Sequence, residues 1–200
     1  MKKGLLYIHG KDGHAEEAEF FRPLFPERDV VGFDYRSTKP WEALEEFIRY
    51  YDGFRAAHDS VVIVANSLGA YFTLTALGEK DIEKACFISP VVNMKKLIDD
   101  MMSRAGVTEK ELFERGNIDT PVGEPLSWEY LTWVKSHPVA WNTPTAILYG
   151  EKDRVQSIET IRGFADTYGA SVTVMKNAEH WFHTEEQLAF LTDWIRREMP

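Results

Sequence analysis

Several features that would mark other classes of protein are scarce or missing in this chain. Its single cysteine, Cys86, has no partner for an intrachain disulfide and lies in an apolar run, so it reads as a small core hydrophobe in a chain suited to a reducing cytoplasm. There is no basic excess: 23 Lys and Arg against 32 Asp and Glu give a net charge of −9, which argues against partners such as nucleic acid or an anionic membrane surface. No segment approaches the roughly 18 consecutive apolar residues that span a bilayer. The opening Met-Lys-Lys-Gly-Leu-Leu-Tyr-Ile has too short an apolar run for a signal peptide and no small-residue cleavage site after it. No G-x-G-x-x-G follows a strand and no G-x-x-x-x-G-K-[ST] occurs, so no nucleotide cofactor is expected. Six histidines are present, but none pair as H-E-x-x-H, so no metal is expected either. Internal repeats and low-complexity segments are also lacking.

What is present is a globular composition, 44% hydrophobic and 28% charged, over 200 residues, a length that fits one domain. Apolar runs at Gly4 to Ile8, Asp29 to Phe33, Val61 to Val64, Ala85 to Ser89, Thr145 to Tyr149 and Ser171 to Met175 read as strands. Between them lie helical signals. A helix is expected from about His14 to Arg22, stopped by Pro23 and Pro26, and an amphipathic one over Pro40 to Ala57 with proline in its first turn. Further helices follow Ser67, then span Gln156 to Thr167 and Thr184 to Glu198, the last opened by a Thr184/Gln187 capping box. Strands nearly all followed by helices imply a parallel sheet covered on both faces.

The alternation breaks between Val91 and Trp141. Met94, Leu97, Ile98, Met101 and Met102 recur at i, i+3, i+4, i+7 and i+8, which makes one amphipathic helix. The capping box Thr108 to Glu111 signals a second helix and Ser127 a third, with Gly116, Pro121, Gly123 and Pro125 marking loops.

The chemistry gathers around Val61 to Ala70. A buried strand ends at Ser67, Ala65 and Gly69 flank that serine with minimal side chains, and Tyr71, Leu74 and Leu77 continue at helical spacing. Such a strand, sharp turn and helix present a nucleophilic serine in the G-x-S-x-G elbow, with Ala65 in place of the first glycine; the same serine is also compatible with a plain helix N-cap. In a parallel sheet the loops after the strands open on one edge. Those after the fifth and sixth strands carry Glu151 and Asp153, and His180 with His183 close behind it. A serine hydroxyl needs a base within hydrogen-bond reach and the base needs an orienting carboxylate, and this order supplies all three types. His9, at the end of the first strand beside the Gly10-Lys11-Asp12-Gly13 turn, is a rival for the base, though its position better suits a structural hydrogen bond.

The Ser, Asp, His chain order, the Ala65-Asn66-Ser67-Leu68-Gly69 elbow and His9-Gly10 after the first strand together resemble the α/β-hydrolase superfamily, in particular its small single-domain bacterial serine hydrolases of the carboxylesterase type. The resemblance covers nearly the whole chain. It implies an α/β three-layer sandwich over residues 1–200, with a mostly parallel six-stranded sheet in the order 2-1-3-4-5-6, the first two strands of the full family sheet being absent. Residues 91–141 would be a helical cap insertion. The implied catalytic residues are Ser67, Asp153 and His180, with the backbone N–H groups of Lys11 and Leu68 as the oxyanion hole.

Part of the Met and Leu stripe, with Trp128, Trp133 and Trp181, is expected to line an apolar pocket above Ser67, with Met94, Met101, Trp128 and Trp181 as its candidate residues. The implied activity is hydrolysis of a small carboxylic ester or thioester through an acyl-enzyme, with a small-molecule acyl substrate and no cofactor. The alternative is a hydrolase-fold protein that binds a small apolar ligand or a partner without turnover, since fold alone does not establish activity.

Overall fold

β-branched and aliphatic runs bounded by turn residues become strands because their side chains pack on a pleated surface, and here they alternate between two cores. A computed structural model describes residues 2–120 and 124–200. In chain order its elements are β1 (Lys3–Ile8), 3-10 turns at Ala15–Phe20 and Arg22–Leu24, β2 (Arg28–Phe33), α1 (Pro40–Ala56), β3 (Ser60–Asn66), α2 (Ser67–Ala76) and β4 (Lys84–Ile88). Then come α3 (Met94–Ala105), α4 (Glu109–Arg115), β5 (Asn117–Ile118), β6 (Leu126–Ser127) and α5 (Trp128–Ser136). The chain closes with β7 (Thr145–Gly150), α6 (Ile158–Tyr168), β8 (Ser171–Met175) and α7 (Glu185–Glu198).

The main sheet runs β2-β1-β3-β4-β7-β8, and every neighbouring pair in it is parallel. β5 and β6 form a separate antiparallel pair, which shifts the numbering over the whole chain. The six strands of the sheet itself follow the sequence order 2-1-3-4-5-6. Leu6 and Ile8 of β1 and Val61, Ile63 and Ala65 of β3 face a core built with α1, α2 and α6. Leu5 and Tyr7 of β1 and Val64 of β3 face the opposite core, closed by Phe21, Phe25 and the α7 residues Leu191, Trp194 and Ile195. The result is helices on two faces of one sheet, the three layers expected.

Two local expectations change. The segment after β1 is not an α-helix but two 3-10 turns, with Phe21 N–H donating to Ala18 O at 2.9 Å and Leu24 N–H to Phe21 O at 3.1 Å. Pro23 supplies no N–H and disfavours helical geometry in the residue before it. The segment also lies directly on β2, so closely that a Cβ on Gly32 would stand 1.9 Å from Ala15 O. The second change is the β5/β6 pair, too short to leave an alternation in the sequence. Of the loop residues expected nearby, Gly116 ends α4 as its C-cap, while Pro121 and Gly123 lie outside the described residues. The capping boxes at Thr108/Glu111 and Thr184/Gln187 are both formed.

Cys86 sits in β4 with no exposure, and burial pushes its thiol up to about 12. The thiolate is the reactive form, so at pH 8, well below that value, the folded protein should resist Ellman's reagent while the denatured chain reacts. Rapid reaction of the folded protein would show that β4 is open to solvent. Among the described residues no helix is long and apolar enough to cross a membrane.

Candidate active site

β3 delivers Ser67 to the edge of the sheet on a strained backbone. Ser67 has φ +50°, in the left-handed region that L-residues seldom occupy, and its carbonyl is held by Val91 N–H at 3.0 Å. Such strain persists only where the surroundings impose it. Gly69 shows how tightly they do: a Cβ there would lie 2.2 Å from His9 O, so α2 starts directly against the end of β1. Gly10 meets the elbow from the other side, and a Cβ on it would stand 3.1 Å from Ser67 Cβ. The turn after β1 and the elbow therefore form one unit.

The loops after β7 and β8 are joined in the same way. Glu151 N–H donates to Met175 O at 3.0 Å and Lys152 N–H to Ala178 O at 2.8 Å. Between them, Asp153 Oδ2 lies 2.7 Å from His180 Nδ1, and His180 Nε2 lies 2.9 Å from Ser67 Oγ. Asp153 is almost wholly enclosed, its side chain 2% exposed, and its other oxygen accepts Val155 N–H at 2.7 Å. A carboxylate oxygen only accepts, so Nδ1 carries the ring proton and Nε2 presents its lone pair to the serine hydroxyl.

The competing residues are elsewhere. Glu151 accepts Asn177 N–H at 2.9 Å and so braces the histidine loop rather than the histidine ring. His183 is exposed, with Nδ1 2.7 Å from Trp181 O. His9 is buried, its Nδ1 2.7 Å from Gly10 O and its ring stacked on Tyr35 at 4.2 Å. Lys11 occupies the turn closed by Gly13 N–H on Gly10 O at 3.2 Å, where Asp12 takes φ +59°. Leu68 is in the first turn of α2, where backbone N–H groups have no partner within the helix. Both line the same cavity as Ser67.

That cavity has a volume of about 720 Å³. Its floor is His9, Gly10, Ser67 and Leu68, and one wall is the α3 stripe of Met94, Leu97, Ile98 and Met101. Of the expected pocket residues, Met94 and Met101 are in place, and Trp128 and Trp181 are not. Trp128 turns away to pack edge-on against Phe113, ring centroids 5.1 Å apart, and Trp181 is 72% exposed. Trp133, also expected there, instead stacks on His137 at 4.1 Å. Among the residues not anticipated are Tyr130 and Leu126 from the insertion and the Arg36 to Lys39 loop after β2. That loop had a usable signal, because it too follows a parallel strand and opens on the same edge. Tyr130 had none, since which side of a short helix faces inward is decided by the neighbouring layer.

No protein-family model matches the chain, and no curated relative matches it. Solved structures do. Est1E from Butyrivibrio proteoclasticus has a TM-score of 0.76 at 16% identity, over 99% of this chain and 87% of that one. Alpha/beta hydrolase domain-containing protein 10 from mouse has a TM-score of 0.74 at 16% identity, over 98% and 89%. The monoacylglycerol lipase of Paleococcus ferrophilus has a TM-score of 0.63 at 15% identity, over 97% and 94%. With its sheet order, its elbow and these likenesses, the chain has the α/β-hydrolase fold.

Proposed function

We propose that the protein is a serine hydrolase that cleaves a small carboxylic ester or thioester through an acyl-enzyme on Ser67. The observation that carries this reading is the continuous relay from Asp153 Oδ2 to His180 at 2.7 Å and from His180 to Ser67 Oγ at 2.9 Å, with Ser67 opening on the floor of the cavity. Ser67 Oγ attacks the acyl carbon while His180 Nε2 takes its proton, and Asp153 holds the imidazolium. Charge then develops on the former carbonyl oxygen, where the backbone N–H groups of Lys11 and Leu68 serve as donors. His180 returns the proton to the departing alcohol or thiol; water then attacks the acyl carbon, giving its proton to His180 Nε2, and the acyl–Oγ bond breaks as that proton passes to Ser67, releasing the acid. Residues 91–141 act as the cap, with α3 forming the apolar wall over the nucleophile. The fold shared with a monoacylglycerol lipase supports an ester as the substrate bond.

The test is labelling of the folded protein with a fluorophosphonate probe, which captures an activated serine. Stoichiometric labelling that maps to Ser67 is expected. If the folded protein stays unlabelled, or the label maps elsewhere, the reading fails and a ligand-binding role without turnover takes its place.

A further inference from the structure

The insertion lines the cavity with an apolar stripe, Met94, Leu97, Ile98, Met101 and Leu126, and with the polar residues Asn117, Glu124 and Ser127. Tyr130 lies among them. It stands in the first turn of α5, its N–H donating to Ser127 Oγ at 3.3 Å, and its ring packs edge-on against Trp41 with centroids 6.1 Å apart. The ring is thus fixed, yet its hydroxyl makes no hydrogen bond among the described residues. Burial raises the phenol well above its ordinary range, with the phenols of Tyr71 and Tyr35 adding to the effect. Tyr71 follows Ser67 by one turn of α2, on the same helix face, and Tyr35 stacks on His9 of the cavity floor. Tyr130 and Ser67 line the same cavity, so the phenol shares the space into which the nucleophile opens. A fixed phenol that lines the cavity without a protein partner is a donor free for a ligand, and once a bound ligand displaces solvent from it the site discriminates against ligands that supply no acceptor.

We propose that Tyr130 is a specificity-determining residue whose hydroxyl donates a hydrogen bond to an oxygen that the substrate carries beyond its scissile carbonyl, so that oxygen-bearing esters are preferred to plain alkyl ones. This rests on the serine hydrolase reading above. The test compares wild type with Tyr130→Phe on isosteric pairs that differ by one CH₂ replaced with oxygen. On the acyl side the pair is p-nitrophenyl pentanoate and p-nitrophenyl 3-methoxypropanoate. On the leaving-group side it is S-butyl and S-(2-methoxyethyl) thioacetate, read by thiol release, with the enclosed Cys86 silent to the reagent.

In one of the two pairs the wild-type preference in kcat/KM for the oxygenated member should fall by about 10- to 100-fold in Tyr130→Phe, and the hydrocarbon member should change by less than about twofold. Whichever pair responds locates the oxygen on the acyl or the leaving-group side. Tyr71→Phe, which alters an enclosed hydroxyl outside the cavity lining, should leave the preference intact. Equal changes on both members of both pairs, or none, overturn the role of Tyr130 while turnover of the hydrocarbon esters leaves the hydrolase reading standing. Absence of turnover on all four together with no fluorophosphonate labelling sinks both.

Discussion

Replacing Ser67 or His180 by alanine is expected to lower kcat on p-nitrophenyl butyrate by about 10⁴- to 10⁶-fold, and the double variant to be little worse than either. The reason is mutual dependence. The Ser67 hydroxyl is a weak nucleophile until Nε2, 2.9 Å away, accepts its proton, and His180 has no nucleophile to activate once the hydroxyl is gone. Neither change should unfold the protein, because the strained backbone at Ser67 is held by Val91 and by the packing of Gly69 on β1 rather than by the hydroxyl. Circular dichroism and thermal melts check that point. His183→Ala is the informative control. The His183 backbone N–H donates to Gln187 Oε1 at 2.9 Å, a bond that alanine keeps, and the exposed ring meets Trp181, its carbonyl through Nδ1 and its indole with centroids 6.2 Å apart. Its kcat should stay within about threefold of wild type, the range of a surface substitution far from strained or buried features. A larger loss from His183→Ala than from His180→Ala would reassign the base.

The parts of this architecture that are legible in the sequence are those set by short-range physics. The capping boxes at Thr108 and Thr184 lie within four residues of chain, and the strands declare themselves as runs whose alternate residues enter different cores. The placement of Ser67, Asp153 and His180 on neighbouring loops follows from the topology, since a parallel sheet with right-handed crossovers sends the end of every strand to one edge. What escapes is set by contacts between layers. The 3-10 path of Ala15–Phe20 is dictated by Gly32 on the facing strand, which no local pattern reports. The cavity lining escapes for the same reason. Trp128 and Tyr130 are two residues apart on one short helix and so point to different sides, and contacts with Phe113 and with Trp41 decide which one faces Ser67. Hydrophobicity alone favours the tryptophan, and it also misplaces Trp181, which solvent covers despite its position beside His180.

Asp153→Asn should lower kcat by about 10⁴-fold while preserving the fold, an effect as large as deletion though the side chains are isosteric. The cause is the hydrogen-bond polarity of the site. Asp153 accepts twice, from Val155 N–H through Oδ1 and from His180 through Oδ2, both at 2.7 Å. Asparagine accepts with one end only. If its oxygen keeps Val155, its NH₂ meets Nδ1 as a donor, so Nδ1 must become the acceptor and the proton moves to Nε2, which then faces Ser67 with a proton instead of a lone pair. If the amide turns over, the NH₂ confronts the Val155 N–H, and a buried backbone donor is left unpaired at a cost of about 1–3 kcal/mol. The first arrangement keeps the loop and loses the base, so the variant should fold, bind and fail to turn over. Its rate of fluorophosphonate labelling should fall in parallel with kcat, because both require the same proton transfer from Ser67. Glu151→Gln is the matched comparison: among the described residues Glu151 accepts only the Asn177 N–H, and a glutamine oxygen can accept it equally. Retention of a tenth or more of kcat by Asp153→Asn, or a greater loss from Glu151→Gln, would move the orienting carboxylate from Asp153 to Glu151.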